Sequence, residues 1–227
     1  MFSVIFEVHP KPDRWNEYLA LGKMLRPDLE QIDGFIENVR YRSLSREGWL
    51  ISLSGWRDEK ALVRWRTHAI HHGVQEKGRR EIFFDYHLRV GQLTRDTRPP
   101  EGHELSEPQA DEMLSGLAAT AILIDAAGPI NFGTSQPIDV ANELGLSLKA
   151  DGLVAWDVFD AVLTPGDALL LTYWRGHRAA EMFLKSLSAR ANTRIRCVRI
   201  IRDYGMFDRR EAPQFYPDVE GAATIHF

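Results

Sequence analysis

"LISLSGWR" at Leu50–Arg57 and "ALLLTYWR" at Ala168–Arg175 read as two versions of one strand. Laying one on the other puts Trp56 on Trp174, an offset of 118 (174 less 56). Further on, "LRVGQLTRD" (Leu88–Asp96) lies on "IRCVRIIRD" (Ile195–Asp203). This puts Asp96 on Asp203, an offset of 107 (203 less 96). The chain therefore repeats itself. The second copy is 11 residues shorter (118 less 107), all of them lost between its second helix and its last strand.

Working outward from the first strand gives the order of elements. Upstream, "FIENVRYRSL" alternates apolar and polar residues, which is the period of a strand, and "SREG" turns it into "WLISLSGW" as a hairpin. Before the hairpin, "SVIFEV" is a strand and "HPKPD" a turn, with Asp13 placed to cap a helix that runs to about Ile32 and stops at Gly34. After it, Asp58 caps a helix beginning "EKALVRW", and "DYHLRVGQLTR" is a closing strand. The unit is β-α-β-β-α-β. The second copy follows the same order through "LAATAILIDA", "PIDVANELGL", "LVAWDVFDAVL", "ALLLTYWR", "HRAAEMFLKSLSA" and "TRIRCVRIIRDYG". Residues 1–96 form the first unit. Residues 97–115, polar and holding three prolines, form a linker with a short helix at its end. Residues 116–227 hold a second, degenerate unit and a C-terminal tail.

Composition bounds the function. The 227 residues are 44% hydrophobic and 26% charged, with a net charge of −4, as in an ordinary globular protein. No basic character invites nucleic acid or an anionic membrane. The longest apolar stretch, "GLAATAILI", ends at Asp125 and is too short to span a bilayer. The N-terminus lacks the basic region of a signal peptide. The single cysteine, Cys197, fits a reducing compartment, so a cytoplasmic location is expected.

The chemistry gathers in "WRTHAIHHGVQEKGRREIFFDYHLRV", Trp65–Val90, which holds four of the eight histidines. On a continuous helix turning about 100° per residue from Leu62, Trp65 falls at about −60°, Ala69 at about −20° and His72 at about −80°. His68 falls on the flank at about −120°, and His71 at about 180°, towards water. His72 is therefore expected on the buried face beside Trp65, either as a proton-transfer group or as a histidine bonded to a carbonyl. His68 and His72 have an i, i+4 spacing, but no third ligand stands nearby, so no metal is expected. Asn38, on one face of its strand with Ile36 and Arg40, is placed to orient a substrate carbonyl. Lys77, Arg79 and Arg80 form a basic rim, with Arg79 the candidate for a ligand's charge. At the first offset His68 meets Ser186 and His72 meets Arg190, so the second copy lacks these histidines. No G-x-G-x-x-G, P-loop, H-E-x-x-H, C-x-x-C or G-x-S-x-G is present.

The step Gly34-Phe35, the strand ending in Trp56, the helix "ALVRW", the segment from His72 to Arg79 and the strand "DYHLRV" together resemble the antibiotic biosynthesis monooxygenase family of dimeric α+β barrels. The resemblance covers residues 2–96 well and 117–210 more faintly. It implies an α+β fold of two tandem ferredoxin-like units. Their sheets would close a barrel within one chain, an internal pseudo-dimer to which a homodimer contact can be added. It also implies a pocket between a unit's sheet and its helices. Relatives divide into cofactor-free oxidases of aromatic, quinol-like or polyketide substrates, which use O2, and heme-degrading proteins. The latter use an asparagine on the first strand and a tryptophan and histidine on the second helix. Trp65 matches that tryptophan, but "SVIFEV" has no asparagine, and Gln75 stands where the histidine would be. The expectation is a cofactor-independent monooxygenase with His72 as base, Trp65 as pocket wall, and His68, Asn38 and Arg79 orienting an aromatic small molecule. Heme binding, or a non-catalytic protein of the same fold, is the alternative.

Overall fold

A computed structural model of the chain describes residues 1–105, 118–128, 135–188 and 191–213. The first unit runs β1 (Phe2–Pro10), α1 (Trp15–Glu30), β2 (Phe35–Ser43), β3 (Leu50–Trp56), α2 (Glu59–Arg66), α3 (Ala69–Lys77), β4 (Phe83–Asp96). The second runs β5 (Thr120–Ala126), α4 (Pro137–Glu143), β6 (Leu153–Ala161), β7 (Ala168–Trp174), α5 (His177–Ser186), β8 (Thr193–Gly205). The helix expected at the end of the linker, the counterpart Arg190 and the C-terminal tail from 214 lie outside the described residues.

The eight strands close an antiparallel barrel in the order β1-β3-β2-β6-β7-β5-β8-β4. Each unit contributes four neighbouring strands. The seams are β2–β6, where Tyr41 pairs with Ala161, and the longer β4–β8, where Leu88 pairs with Tyr204. Strand register carries both sequence offsets. Phe2 faces Trp56 as Thr120 faces Trp174, and Phe2 faces Gln92 as Thr120 faces Arg199. Gly34 and Gly152 both take positive φ, 88° and 78°. At each, an added Cβ would stand 2.7 or 2.6 Å from the Cβ of an alanine on the following helix, Ala61 or Ala179. Only glycine permits that turn and that approach.

Alternation along the strands sorts side chains into layers. Ile5, Tyr41, Ile51, Leu53, Phe159, Leu169, Leu171 and Val198 fill the barrel interior. In the first unit the other faces of β1, β3 and β4 meet the helices through two clusters. One is built on Phe2, Val4, Leu25, Leu29, Trp56, Leu62 and Trp65, and the other on Val8, Tyr18, Leu50, Ile82 and Tyr86. In the second unit one cluster does this, through Ile122, Leu144, Val158, Leu170, Trp174 and Phe183.

Three local expectations are corrected. Asp13 caps nothing; it lies inside a short 3-10 turn, Pro12–Arg14, whose proline favours that start. A β-bulge between Phe35 and Glu37 moves Phe35 to the helix side, with Trp56, and sends Ile36 into the barrel. The second helix is not continuous. Thr67 turns its hydroxyl back to the Val63 carbonyl at 2.9 Å, and His68 is extended (φ −60°, ψ 127°), so α3 starts afresh behind it. Asp58 does cap α2, accepting from the Ala61 amide at 2.8 Å.

Candidate functional site

The break between α2 and α3 resets the helical phase and decides which histidine turns inward. It is His71, not His72. The His71 ring stacks on Trp65 with centroids 4.1 Å apart and planes 13° from parallel. Its Nδ1 lies 2.9 Å from the Trp65 carbonyl oxygen. A carbonyl accepts only, so Nδ1 carries the hydrogen and Nε2 keeps the lone pair. Burial disfavours the imidazolium and lowers the His71 pKa to about 4, leaving a neutral ring at pH 7. His72 is exposed, contrary to the wheel that assumed one helix. His68 is half-buried, its ring 5.7 Å from that of Trp65 and 25° from parallel. Trp65 is buried in the first-unit cluster, as expected.

The sheet beneath carries a polar strip. Asn38 Nδ2 donates to Ser52 Oγ at 2.9 Å and to the Leu53 carbonyl at 3.3 Å, and Trp56 Nε1 donates to Ser54 Oγ at 3.0 Å. Asn38 Oδ1 has no partner among the described residues. Arg40, next on that face, lies against α1 beside the Tyr18 hydroxyl. Phe6, Asn38, Arg40, Ser52, Ser54, Leu88 and Val90 all stay half-buried although α1, α2 and α3 pack over this face. The two apolar clusters meet around Phe6.

The second unit shows the same face filled. By strand register Asn38 corresponds to Trp156, Arg40 to Val158, Ser52 to Leu170 and Ser54 to Thr172. Val158, Leu170 and Thr172 are each 0% exposed. Phe183, in the place of Trp65, stacks on Trp174 at 4.8 Å. The extra 11 residues of the first unit are spent on α3 and a π-turn, Gly78–Ile82. Such π-turns recur at functional sites.

The basic rim expected after α3 is not one. Lys77 pairs with Glu17 at 2.6 Å and Arg80 with Glu76 at 3.0 Å. Arg79 is buried, and its Nη1 donates to the Met206 carbonyl at 2.6 Å and the Tyr86 hydroxyl at 3.2 Å, pinning the segment after β8. Arg79 is thus committed to the chain, whereas Arg40 and Tyr18, which the sequence reading passed over, stand on the strip. With Nδ1 carrying the hydrogen, the Gln75 amide lies 3.4 Å from His71 Nε2, to which its N–H can donate. With no asparagine on β1 and a histidine ring held against Trp65, these residues do not fit a heme site of the kind described for heme-degrading relatives. Among the described residues no group of three or more metal-ligating side chains comes together. No helix among them is long and apolar enough to cross a membrane.

Fold and site define an α+β barrel in which one unit keeps a polar, half-open face under its helices and the other has closed it. Residues 1–77 match the antibiotic biosynthesis monooxygenase family. Jasmonate monooxygenase ABM of Pyricularia oryzae is 47% identical over 223 residues, covering 96% of this chain and 99% of its own. The chain belongs to the antibiotic biosynthesis monooxygenase family. Among solved structures, aldoxime dehydratase superposes with a TM-score of 0.54 at 10% identity, over 88% of this chain and 80% of its own, which shows a shared fold alone. A crystal structure of an antibiotic biosynthesis monooxygenase covers 40% of this chain and 95% of its own, at 16% identity and a TM-score of 0.35.

Proposed function

We propose that the chain is a cofactor-independent monooxygenase whose site is the helix-covered face of the first unit. The observation that carries this is the contrast between the two units: a polar strip with a neutral, oriented histidine in one, a packed apolar face in the other. The chemistry suits substrates with an acidic C–H, such as a methylene beside a carbonyl or within an electron-rich aromatic system. A base removes the proton, the carbanion passes an electron to O2, and recombination gives a hydroperoxide. Loss of water then leaves a carbonyl, so CH2 and O2 become C=O and H2O without an outside reductant. His71 Nε2 is the base, in place of His72. Trp65 holds the ring of His71 and walls the site, Asn38 Oδ1, its amide hydrogens already given to Ser52 and Leu53, accepts from a donor group of the substrate, and His68 borders the entrance.

The name of the Pyricularia oryzae relative supplies one substrate to try, jasmonate, which is an enolisable ketone. Quinol-like and polyketide-like phenols supply the others. Residues 1–96 act as the site-bearing unit, 97–115 as linker and 116–227 as the supporting half of an internal pseudo-dimer. The described strands are all paired in the barrel, so among the described residues a homodimer contact would fall on helices or loops. A cytoplasmic location is the reading that a single cysteine, Cys197, favours, since disulfide pairs mark oxidising compartments. The test is oxygen uptake by purified protein without added cofactor, with 18O2 incorporation read by mass. Jasmonate and phenols that all leave oxygen untouched would end this reading.

A further inference from the structure

The arginines that reach into the barrel are matched to carboxylates. Arg89 holds Glu7 and Asp203, Arg46 holds Glu7 and Asp157, and Arg196 holds Glu37 and Asp125. Arg40 is different. It is half-buried on the helix-facing side of β2, and among the described residues it forms no ion pair. Its guanidinium lies on α1, where Nη2 is 2.7 Å from the position a Cβ on Gly22 would take. Glycine weakens the middle of a helix, and here its missing Cβ leaves the room that the guanidinium occupies. The Tyr18 hydroxyl stands alongside. Partial burial strips water from the cation without supplying a counter-ion, an arrangement that favours an anion arriving from outside. In the second unit the same position is Val158, 0% exposed.

We propose that Arg40 is the anchor for a carboxylate on the substrate, and so sets the enzyme's preference for acidic molecules. This rests on the reading of the first-unit face as the substrate site. A planar guanidinium takes both oxygens of a carboxylate in two parallel hydrogen bonds. The strand fixes the rest. Phe35, five residues earlier on β2, packs in the cluster of Trp65, while Tyr18 belongs to the other cluster. Asn38 lies between, about 7 Å along the strand from Arg40. A molecule gripped by its carboxylate at Arg40 therefore extends past Asn38 towards Trp65 and His71, with its reactive carbon at the far end.

Jasmonate and methyl jasmonate differ in that charge and by one methyl group, and serve as probes. Calorimetric binding to the wild-type chain should favour the acid by about 10- to 100-fold, the range of a charge-assisted pair. Arg40→Gln should bring acid and ester together by weakening the acid alone, and in turnover should raise KM for the acid while leaving kcat. Arg40→Lys, which keeps the charge but not the fork, should restore part of the preference. Gly22→Ala should reproduce the loss by pushing the guanidinium aside, which guards against an Arg40→Gln chain that fails to fold. Wild-type protein that binds neither probe, or both equally, overturns the proposal, as does an Arg40→Gln chain that weakens acid and ester alike. An Arg40-dependent preference without oxygen uptake would leave the anchor standing and sink the oxygenase reading. Oxygen uptake with equal KM for acid and ester would do the reverse.

Discussion

A single extended residue, His68, decides which imidazole packs against Trp65. The pattern of Leu62, Trp65 and Ala69 was legible as an apolar helical face, and Trp65 took its place in the core accordingly. The phase beyond Thr67 was not legible, because no glycine or proline marks the break; a threonine hydroxyl bonded to the Val63 carbonyl and an extended backbone do. His71 then meets Trp65 face to face while His72 is turned outward. His71→Ala should lower kcat by roughly 10²–10⁴-fold with the fold intact by circular dichroism, and His72→Ala should stay near parental activity. The pH profile separates the two further. A base works only when unprotonated, and burial holds the His71 pKa at about 4. The ascending limb of kcat/KM should therefore lie near pH 4, activity falling as pH drops through that value, and not near the ordinary histidine value of 6.5. A limb near 6.5 would assign the base to an exposed histidine.

The matched strands that revealed the repeat also held the clearest sign of the candidate site, in their mismatches. "LISLSGWR" against "ALLLTYWR" sets Ser52 on Leu170 and Ser54 on Thr172. Serine in the middle of a helix-covered strand is a poor packing residue, and two of them announce a face that is not closed. Which face they share with Asn38 and Arg40 needed the register of β2, because the bulge after Phe35 cannot be read from alternation. A direct exchange of residues tests this. Asn38→Trp with Ser52→Leu rebuilds the second unit's face in the first. Turnover and ligand binding should vanish, while the melting temperature should hold or rise, since apolar burial replaces half-buried polar groups. A double variant that stays active would place the site elsewhere. The cap of α2 is a separate matter: Asp58→Ala should cost about 1 kcal/mol in urea unfolding, as an N-cap typically does, without changing substrate preference.

At the scale of the molecule, two units cohere through charge as well as apolar packing, and strand alternation alone does not reveal which charged side chains meet. Inside the barrel Glu7 of β1 accepts from Arg89 at 2.9 Å, from Arg46 at 2.6 Å and from the Tyr173 hydroxyl of β7 at 2.7 Å. Arg46 goes on to Asp157, and Arg89 and His87 to Asp203, all across the junction between units. Glu37, Arg194, Arg196 and Asp125 make a second such bridge. Burial by itself would push the Glu7 carboxyl up, but the two guanidinium groups and the Tyr173 hydroxyl overrule it and hold the pKa at about 2, against an ordinary 4.5. A carboxylate depressed in the folded state stabilises the fold above its unfolded pKa, and that contribution is lost as pH falls from about 4.5 through about 2. The shift corresponds to about 3 kcal/mol. Glu7→Gln should therefore destabilise the chain by about that amount at pH 7, and the gap from wild type should shrink steadily in urea titrations at pH 4 and then pH 3. Arg89→Leu should be no milder, about 3–5 kcal/mol, because it takes the shared buried guanidinium from both Glu7 and Asp203, leaving Glu7 with Arg46 and Tyr173 and Asp203 with His87. A Glu7→Gln deficit that stays constant with pH would mean that the bridge holds the halves by shape and hydrogen bonds, with the charge itself contributing nothing.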